Sequence, residues 1–260
     1  MKPFDCGDLG WAMVGRTSDE LRTKLRGRSF CVLKTDRHIA FELANGRYWE
    51  EWMYDIFREH YVSNTDMIDI GAHIGTSALL MEQVISDNCS VHAFEPIFHR
   101  LISHTLTLNN ISPERVRVHP FAVGNETKLI ATTIKNWALP ANFGASALDH
   151  SVHVPQTDDY FGDLHVSIPV IKINTDALVR TVSVIKIDVE GMEIQVLAGL
   201  RGLIERDRPV ILIEVWKGQP YEVFKEYVQT NLPTYELRSI PHGMDDFVLI
   251  PKKMQEGSDA

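Results

Sequence analysis

The sequence predicts an α/β fold in which a mostly parallel, seven-stranded sheet ends in an antiparallel hairpin. Strand-like and helix-like segments alternate from Met67 to Thr230, which is typical of a parallel sheet covered by helices. Two glycines mark the turn from the first of these strands to its helix. The last two strands follow each other without a helix, so we expect them to pair antiparallel.

Length, composition and charge fit one α/β domain with a modest N-terminal addition. The chain has 260 residues, is 44% hydrophobic and carries a formal net charge of −9. We expect an N-terminal extension (1–62) that packs on the core, a main domain (63–253) and a flexible tail (254–260). An acidic surface repels phosphate backbones, so a nucleic-acid partner is disfavoured.

The cysteines and the lack of long apolar segments indicate the cellular compartment in which the protein is expected. Cys6, Cys31 and Cys89 are far apart and form no CxxC motif, which argues against a disulfide framework or a cysteine zinc site. The N-terminus carries two acids and lacks a long apolar core, so it is a poor signal peptide. No stretch approaches the roughly 18 apolar residues of a membrane span. A reducing, cytoplasmic location is the expectation.

The N-terminal extension is predicted to contain a small hairpin and a helix. Residues 29–34 (SFCVLK) and 38–43 (HIAFEL) flank a short polar segment and read as two strands. Residues 48–61 carry apolar side chains at helical spacing, which predicts a helix docked on the core. These apolar residues are Trp49, Trp52, Met53, Ile56 and Phe57.

The main domain is predicted element by element from hydrophobic periodicity and turn residues. The predicted strands are MIDIG (67–71), SVHAFEP (90–96), VRVHPFAV (116–123), VSVIKIDVEG (182–191), PVILIEVW (209–216), TYELRSI (234–240) and DFVLIPK (246–252). The predicted helices are TSALLMEQVIS (76–86), FHRLISHTLTLNN (98–110), MEIQVLAGLRGLIER (192–206) and QPYEVFKEYVQT (219–230). An irregular insertion after Gly124 has strand-like pieces near its ends.

The glycine turn reads Asp69-Ile-Gly71-Ala72-His73-Ile-Gly75. A dinucleotide fingerprint needs G-x-G-x-x-G, but Ala72 occupies the middle glycine position and the spacing differs. A carboxylate at the strand end would repel a pyrophosphate and attract an ammonium group. S-adenosylmethionine offers an ammonium group and has no phosphate. The turn therefore predicts S-adenosylmethionine binding.

A second acid supports the same cofactor. Glu95 comes twenty positions after Gly75, at the tip of the next strand, where a carboxylate can accept hydrogen bonds from both ribose hydroxyls. A surface acid at a strand end is the alternative for Glu95 taken alone. Pro96 follows it, and Ala122 and Val123 after the third strand fall where the adenine is expected.

The segment VIKIDVEGMEIQVLAGL (184–200) resembles the FkbM family of S-adenosylmethionine-dependent O-methyltransferases, whose signature is Lys-Ile-Asp-Val-Glu-Gly-x-Glu. The blocks DIGAHIG, AFEP, HPFAVGN and INTDAL match other family blocks in order, from about Asp66 to Trp216. The resemblance implies a class I methyltransferase, Rossmann-like fold and methylation of hydroxyls on sugars or polyketide-type metabolites. We therefore expect a small-molecule or glycan acceptor; the oligomeric state has no signal.

The resemblance also implies roles for particular residues. Cofactor binding carries over to Asp69, Gly71, Gly75 and Glu95, and the signature to Lys186, Asp188, Glu190 and Glu193. Acids beside Gly191 at a helix start also suit the helix dipole, so Glu190 and Glu193 have a structural alternative.

Strand ends suggest where the chemistry occurs. Asp188 ends one strand and Glu214 lies near the end of the next, so both point toward the cleft mouth. Alternation puts Lys186 on the same face as Asp188. We expect Asp188 to be the general base and to border the cofactor, with Lys186 and Glu214 as catalytic partners. A purely structural ion pair of Lys186 with Asp188 or Glu214 is the alternative.

Other candidate bases are histidines: His73 in the turn, His153 and His165 in the insertion, and His242 in the last hairpin turn. The small residues of 142–148 (NFGASAL) suit a loop that closes over a substrate.

Metal dependence is not expected. Asp188 and Glu214 could hold Mg²⁺, but the usual third ligand position reads Val215-Trp216-Lys217.

Three rival functions differ in their sequence requirements. An RNA ribose 2′-O-methyltransferase uses a Lys-Asp-Lys-Glu group, of which only Lys186, Asp188 and Glu214 are evident. A non-enzymatic binding protein would have no use for Asp69, Glu95 and Asp188 around one cleft. A nicotinamide oxidoreductase is disfavoured by the glycine pattern and the terminal hairpin.

Overall fold

The computed structural model describes residues 9–13, 28–144, 148, 164–178, 180–215, 220–241 and 245–253. The predicted tail at 254–260 and the candidate bases His153 and His242 lie outside these ranges. Within them, no helix has the length and apolar character needed to cross a bilayer.

Strands and helices are numbered in chain order. The strands are β1 (Leu9–Met13), β2 (Ser29–Leu33), β3 (Asp66–Ile70), β4 (Val91–Phe94), β5 (Val116–His119), β6 (Ala122–Val123), β7 (Lys128–Ile134), β8 (Leu164–Ile171), β9 (Val182–Ile187), β10 (Val210–Glu214), β11 (Tyr235–Ser239) and β12 (Asp246–Pro251). The helices are α1 (Ile39–Ala44), α2 (Met53–His60), α3 (Thr76–Glu82), α4 (His99–Leu108), α5 (Glu193–Gly199), α6 (Arg201–Asp207) and α7 (Tyr221–Asn231).

The main sheet has seven strands in the order β11-β12-β10-β9-β3-β4-β5. The strands β10, β9, β3, β4 and β5 run parallel, whereas β12 pairs antiparallel with both β10 and β11. This order confirms the predicted fold class, a mostly parallel seven-stranded sheet with a C-terminal antiparallel hairpin.

Each face of the sheet has its own core, because side chains alternate along a strand. Val184 and Leu212 pack in one cluster with α1, α2, α3 and α4. Ile185 and Ile211 pack on the opposite face with α5, α6 and α7. Lys186 is paired in register with Leu212 on β10, so its side chain lies on the face that the N-terminal segment covers.

The predicted N-terminal hairpin is wrong in its second half. Residues 29–33 form β2, but its antiparallel partner is β1. Residues 39–44 are helical, and the carboxylate of Asp36 accepts hydrogen bonds from the N–H groups of His38 and Ala40 at the helix start. In the sequence, Ile39, Phe41 and Leu43 alternate as in a strand, whereas the buried residues Ile39, Ala40 and Leu43 share one side of the helix.

The predicted third strand (116–123) is divided between two sheets. The first part, β5, ends at His119 and belongs to the main sheet, whereas β6 pairs with β8 in a three-stranded sheet of order β6-β8-β7. Pro120, which lacks an N–H, stands between the two parts. The strands β7 and β8 are the predicted strand-like ends of the insertion, and they pair antiparallel.

The predicted helix over 192–206 consists of two shorter helices. α5 ends at Gly199 and α6 begins at Arg201, with Leu200 between them. Gly199 lies against the backbone of Gly124, and an added Cβ would meet the Gly124 carbonyl oxygen at 2.1 Å. This close approach fixes α5 beside the start of the small sheet.

Candidate active site

A cavity opens at the carboxyl ends of β3, β4 and β9. The predicted site residues that line it are Gly71, His73, Glu95, Pro96, Ala122, Val123 and Asp188. Its apolar walls include side chains that the sequence did not single out: Ile39, Phe98, Phe121 and Met192. Ile39 comes from α1, so the N-terminal extension contributes to this site.

The glycine turn lets the ends of β3 and β9 approach each other. Gly71 has a φ of 81°, and a Cβ added there would meet the carbonyl oxygen of Asp188 at 1.7 Å. The N–H groups of Gly71 and Ala72 donate to the carbonyl of Phe94 on β4. Gly75, with a φ of 92°, is the residue before α3. Ala72 and Gly75 therefore shape the turn without lining the cavity.

Asp69 lies beneath the turn and not in the cavity wall. Its side chain is fully buried, and Oδ2 accepts a hydrogen bond from Ser77 Oγ at 2.7 Å. Its Oδ1 is 4.0 Å from Lys186 Nζ. Burial raises the pKa of this carboxyl, against the opposing effect of Lys186. This geometry makes Asp69 a positioning residue for the lysine and for the first turn of α3.

Lys186 is the buried cation of the site. Its Nζ donates a hydrogen bond to Asp188 Oδ2 at 2.9 Å, and the residue is only 4% exposed. Burial disfavours its charge, but the carboxylates of Asp188, Asp69 and Glu50 raise its pKa above the usual value. Lys186 therefore stays protonated and holds Asp188, which is the first of the two pairings expected from the sequence.

Glu95 fastens the turn as well as lining the cavity. Its Oε1 accepts hydrogen bonds from the N–H groups of Ile97 (2.7 Å) and Phe98 (2.9 Å). Its Oε2 accepts one from the N–H of His73 at 2.9 Å. Burial raises its pKa to about 7, although these three bonds favour the ionised form. The sequence pointed to Glu95 for a ligand but did not reveal this second role.

His73 presents a neutral imidazole to the cavity. Its φ is 49°, and its ring packs edge-to-face on Phe98 with centroids 4.9 Å apart. Both ring nitrogens are buried without a hydrogen-bond partner among the described residues. Burial lowers the pKa of the imidazole to about 4, so the ring is uncharged near neutral pH.

Three acids follow one another along the edge of the main sheet where β9 and β10 end, and the first of them, Asp188, lines the cavity. Asp188 follows β9, Glu214 ends β10, and Asp246 begins β12 directly opposite Glu214. Burial raises the pKa of Glu214 to about 9 and that of Asp246 to about 6, and the charge of Asp188 adds to both shifts.

Two further acids approach the same place from loops. Glu50 and Glu190 both have positive φ angles, 52° and 50°. Burial raises the pKa of Glu50 to about 7 and that of Glu190 to about 8. Neither Glu50 nor Asp246 was expected at the site from the sequence. Pairing the terminal hairpin with β10 would have placed Asp246 beside Glu214, whereas Glu50 had no local signal.

The remaining candidates divide between the site and other parts of the fold. Glu193 accepts a hydrogen bond from the N–H of Gly191 at 2.8 Å, which orders the start of α5. His165 is exposed on β8, opposite Thr133, and does not line the cavity. In the predicted closing loop, Phe143, Gly144 and Leu148 line the cavity, and 145–147 lie outside the described residues.

The shifted pKa of Glu214 predicts a pH dependence of stability. The unfolded chain releases this proton near pH 4.5, whereas the folded chain keeps it up to about pH 9. Stability from this group is therefore complete below pH 4.5 and is lost as the pH rises toward 9. In Glu214→Gln, we expect the free energy of unfolding to fall less between pH 5 and pH 9 than in the parent, measured by urea denaturation.

The matched control is Glu222→Gln, which removes an exposed carboxylate on α7. Its pH profile is expected to follow the parent. Identical profiles for Glu214→Gln and the parent would mean that Glu214 ionises normally in the folded chain.

A protein-family model matches most of the chain. Residues 69–248 match the model of the Methyltransferase FkbM domain. No curated protein matches the sequence.

Solved structures with a similar backbone are distant in sequence. The FkbM methyltransferase from Methylobacillus flagellatus KT is 19% identical over 76% of this chain, with a TM-score of 0.47, and this chain covers 50% of that protein. A putative rRNA methylase from Clostridium thermocellum is 10% identical, with a TM-score of 0.46 over 79% of this chain and 96% of its own. SMU.1697c, a putative methyltransferase from Streptococcus mutans in complex with SAH, is 13% identical, with a TM-score of 0.42 over 76% and 94%.

Proposed function

This chain belongs to the FkbM methyltransferase family, and from that premise we propose that it transfers a methyl group from S-adenosylmethionine to a hydroxyl group of a sugar or glycan. The observation that carries the reaction type is the ion pair at the cavity wall, in which Lys186 Nζ donates to Asp188 Oδ2 at 2.9 Å. The methyl donor follows from the family; the hydroxyl and the sugar are the proposal.

The cavity has the chemistry of a site for a cofactor without phosphate. None of its described lining residues is a lysine or an arginine, and a pyrophosphate would have no cationic side chain to bind there. Glu95 is the proposed ribose ligand, and Gly71 brings the backbone of the turn to the methionine end. Ala122 and Val123 offer an apolar surface for the adenine. S-adenosylmethionine supplies an electrophilic methyl group on its sulfonium when it is bound.

Asp188 is the proposed general base. A hydroxyl is a poor nucleophile that keeps its proton until the new bond to oxygen forms, so a carboxylate must accept that proton as the bond forms. Lys186 keeps Asp188 oriented through its hydrogen bond. Glu214, whose raised pKa keeps it protonated near neutral pH, can donate a hydrogen bond to the acceptor.

The acids at the cavity mouth favour a polar acceptor rich in hydrogen-bond donors. Sugar hydroxyls are such donors, and the carboxylates of Glu50, Glu190 and Asp246 can accept from them. A polyketide-type hydroxyl is the second candidate. An RNA ribose is disfavoured, because the net charge of −9 and the acids at the mouth repel a phosphate backbone.

The test is turnover of S-adenosylmethionine labelled in its methyl group, against a panel of sugar, glycan, polyketide-type and capped-RNA acceptors. We expect label in an alkali-stable ether of a sugar or glycan. Transfer only to RNA, or to a nitrogen or carbon atom, would contradict the proposed acceptor and leave the family assignment intact.

Loss of the Glu95 carboxylate is expected to weaken cofactor binding. A charge-assisted hydrogen bond is worth roughly 1.5–3 kcal/mol, so Glu95→Ala should raise the Kd for S-adenosylhomocysteine by about 10- to 100-fold, measured by calorimetry. The control is Glu114→Ala, which removes an exposed acid beyond α4, and circular dichroism checks that the turn still folds. Unchanged affinity in Glu95→Ala would contradict the ribose assignment.

Turnover is expected to survive chelation by EDTA. The described part of the chain has no three His, Cys, Asp or Glu side chains placed to hold one metal ion. The third ligand position known from metal-dependent relatives reads Val215-Trp216-Lys217 here. Activity lost in EDTA and restored by Mg²⁺ would reassign Asp188 and Glu214 as metal ligands.

A further inference from the structure

Five acids, here called the acid rim, gather around the carboxyl ends of β9 and β10: Glu50, Asp188, Glu190, Glu214 and Asp246. They outnumber the cations that the described residues bring to them, Lys186 and Lys135. Lys186 Nζ donates a hydrogen bond to Asp188 Oδ2 and lies 4.0 Å from Oδ1 of the buried Asp69. Its single charge is therefore shared by two carboxylates before the other members of the rim are counted.

Asp246 gives a second, independent indication that the acid rim lacks a hydrogen-bond donor. The residue is only 7% exposed, and its Oδ1 is buried with no hydrogen-bond partner in the described chain. It stands directly opposite Glu214 in the antiparallel pair of β12 and β10, which puts both carboxyls on the same face of the sheet. Two carboxyls placed this way resist ionising together, and a buried acceptor without a donor is costly.

A hydrogen-bonding cation fits this arrangement of acids better than a metal ion does. The acids are not placed to converge on one ion among the described residues. An ammonium group has three donors that point in different directions and reach acceptors about 2.7–2.9 Å away, so it can bridge carboxylates that are spread apart. Burial and the neighbouring carboxylates raise the pKa values of Glu50, Glu190 and Glu214, because both disfavour the ionised forms of these acids. A bound cation would favour those ionised forms.

We propose that the acid rim binds an ammonium group of the acceptor, so that the substrate class is an amino sugar or another amino alcohol. This inference rests on the proposed function, because it assigns the acceptor of the same site. The ammonium group would lie between Asp246 and Glu214, which are two strands and one strand away from the Lys186–Asp188 pair on β9. The acceptor hydroxyl would then be presented to Asp188 from the side of β10.

The test compares matched probes that differ in one group. D-glucosamine is compared with D-glucose, and 2-aminoethanol with ethylene glycol, by calorimetry of the full chain saturated with S-adenosylhomocysteine. The saturated cofactor site removes competition from the cofactor's own ammonium group. We expect each ammonium probe to bind about 10- to 100-fold more tightly than its neutral partner.

Two further measurements connect the preference to the rim. Binding of the ammonium probes is expected to release protons, seen as a heat that depends on the ionisation enthalpy of the buffer, because the cation favours ionised carboxyls. Asp246→Asn and Glu50→Gln, on different elements, should each reduce the preference for the ammonium probe by about 10-fold. Glu222→Gln, an exposed acid on α7, should leave it unchanged.

The outcomes separate this inference from the proposed function. Equal binding of the two members of each pair, or no binding of the ammonium probes, would overturn the inference. It would mean that the rim needs no ligand cation, because its acids stay protonated or are balanced within the chain. Labelled methyl transfer to neutral sugars would then still support the proposed function. Preference that persists in both rim variants would also overturn the assignment.

Discussion

Asp188→Asn is expected to lower turnover by about 10²- to 10⁴-fold while the affinity for S-adenosylhomocysteine stays within a few-fold of the parent. The asparagine keeps the shape of the side chain and an oxygen that can accept from Lys186, but it cannot take a proton from the acceptor. The loss should therefore appear in kcat, measured with labelled S-adenosylmethionine under saturating acceptor.

The control for this variant is Asp55→Asn, which removes an exposed carboxylate on α2 and should leave kcat unchanged. Turnover of Asp188→Asn within a few-fold of the parent would move the base to another group. Glu214 would be the first alternative because it belongs to the same row of acids. His165 would be a weaker alternative, since it is exposed on β8 and does not line the cavity.

The parallel part of the fold was predictable from the sequence because its signals are long and local. Each strand of the main domain is a run of apolar residues, and each helix that follows repeats its apolar residues every three or four positions. The signature block around Lys186 and Asp188 added the family, which the match over residues 69–248 confirms. These signals do not depend on which strands become neighbours.

The errors arose where distant contacts decide the structure. Residues 39–44 are helical, and the Asp36 carboxylate accepts hydrogen bonds at the start of this helix. The strand β2 pairs instead with β1, which lies earlier in the sequence. The segment 116–123 was divided because β6 pairs with β8, more than forty residues later. The sequence of a short apolar segment does not indicate which distant strand it will pair with. Its hydrophobic period alone therefore does not distinguish a helix from a strand.

In the site, too, residues in local sequence motifs were predictable, whereas positions set by packing between distant segments were not. Gly71, His73 and Glu95 belong to motifs whose spacing already indicated a ligand, and they line the cavity. Asp69 was expected to contact the cofactor, but it lies beneath the turn with Ser77 and Lys186. Which strand-end acids face the cavity and which lie beneath it depends on packing that the sequence pattern does not specify.

Gly71→Ala is expected to disable the site through backbone strain and a steric clash, although the substitution removes no hydrogen-bonding group. An alanine at a φ of 81° stores strain of about 1–3 kcal/mol, and its Cβ would stand 1.7 Å from the Asp188 carbonyl oxygen, so the ends of β3 and β9 must separate. In a domain of this size each kcal/mol lowers the melting temperature by about 2–4 °C. A displacement of about 1 Å at Asp188 lowers turnover by about 10²-fold.

The matched control is Gly202→Ala, in the helix α6. Its Cβ would meet only the Thr175 hydroxyl, at 3.3 Å, and alanine favours a helix by about 1 kcal/mol over glycine, so stability should be unchanged or higher. Thermal denaturation and labelled turnover of both variants decide the matter. If Gly71→Ala melts and turns over like the parent, then the approach of β3 to β9 is not what positions Asp188, and the base must be held by Lys186 alone.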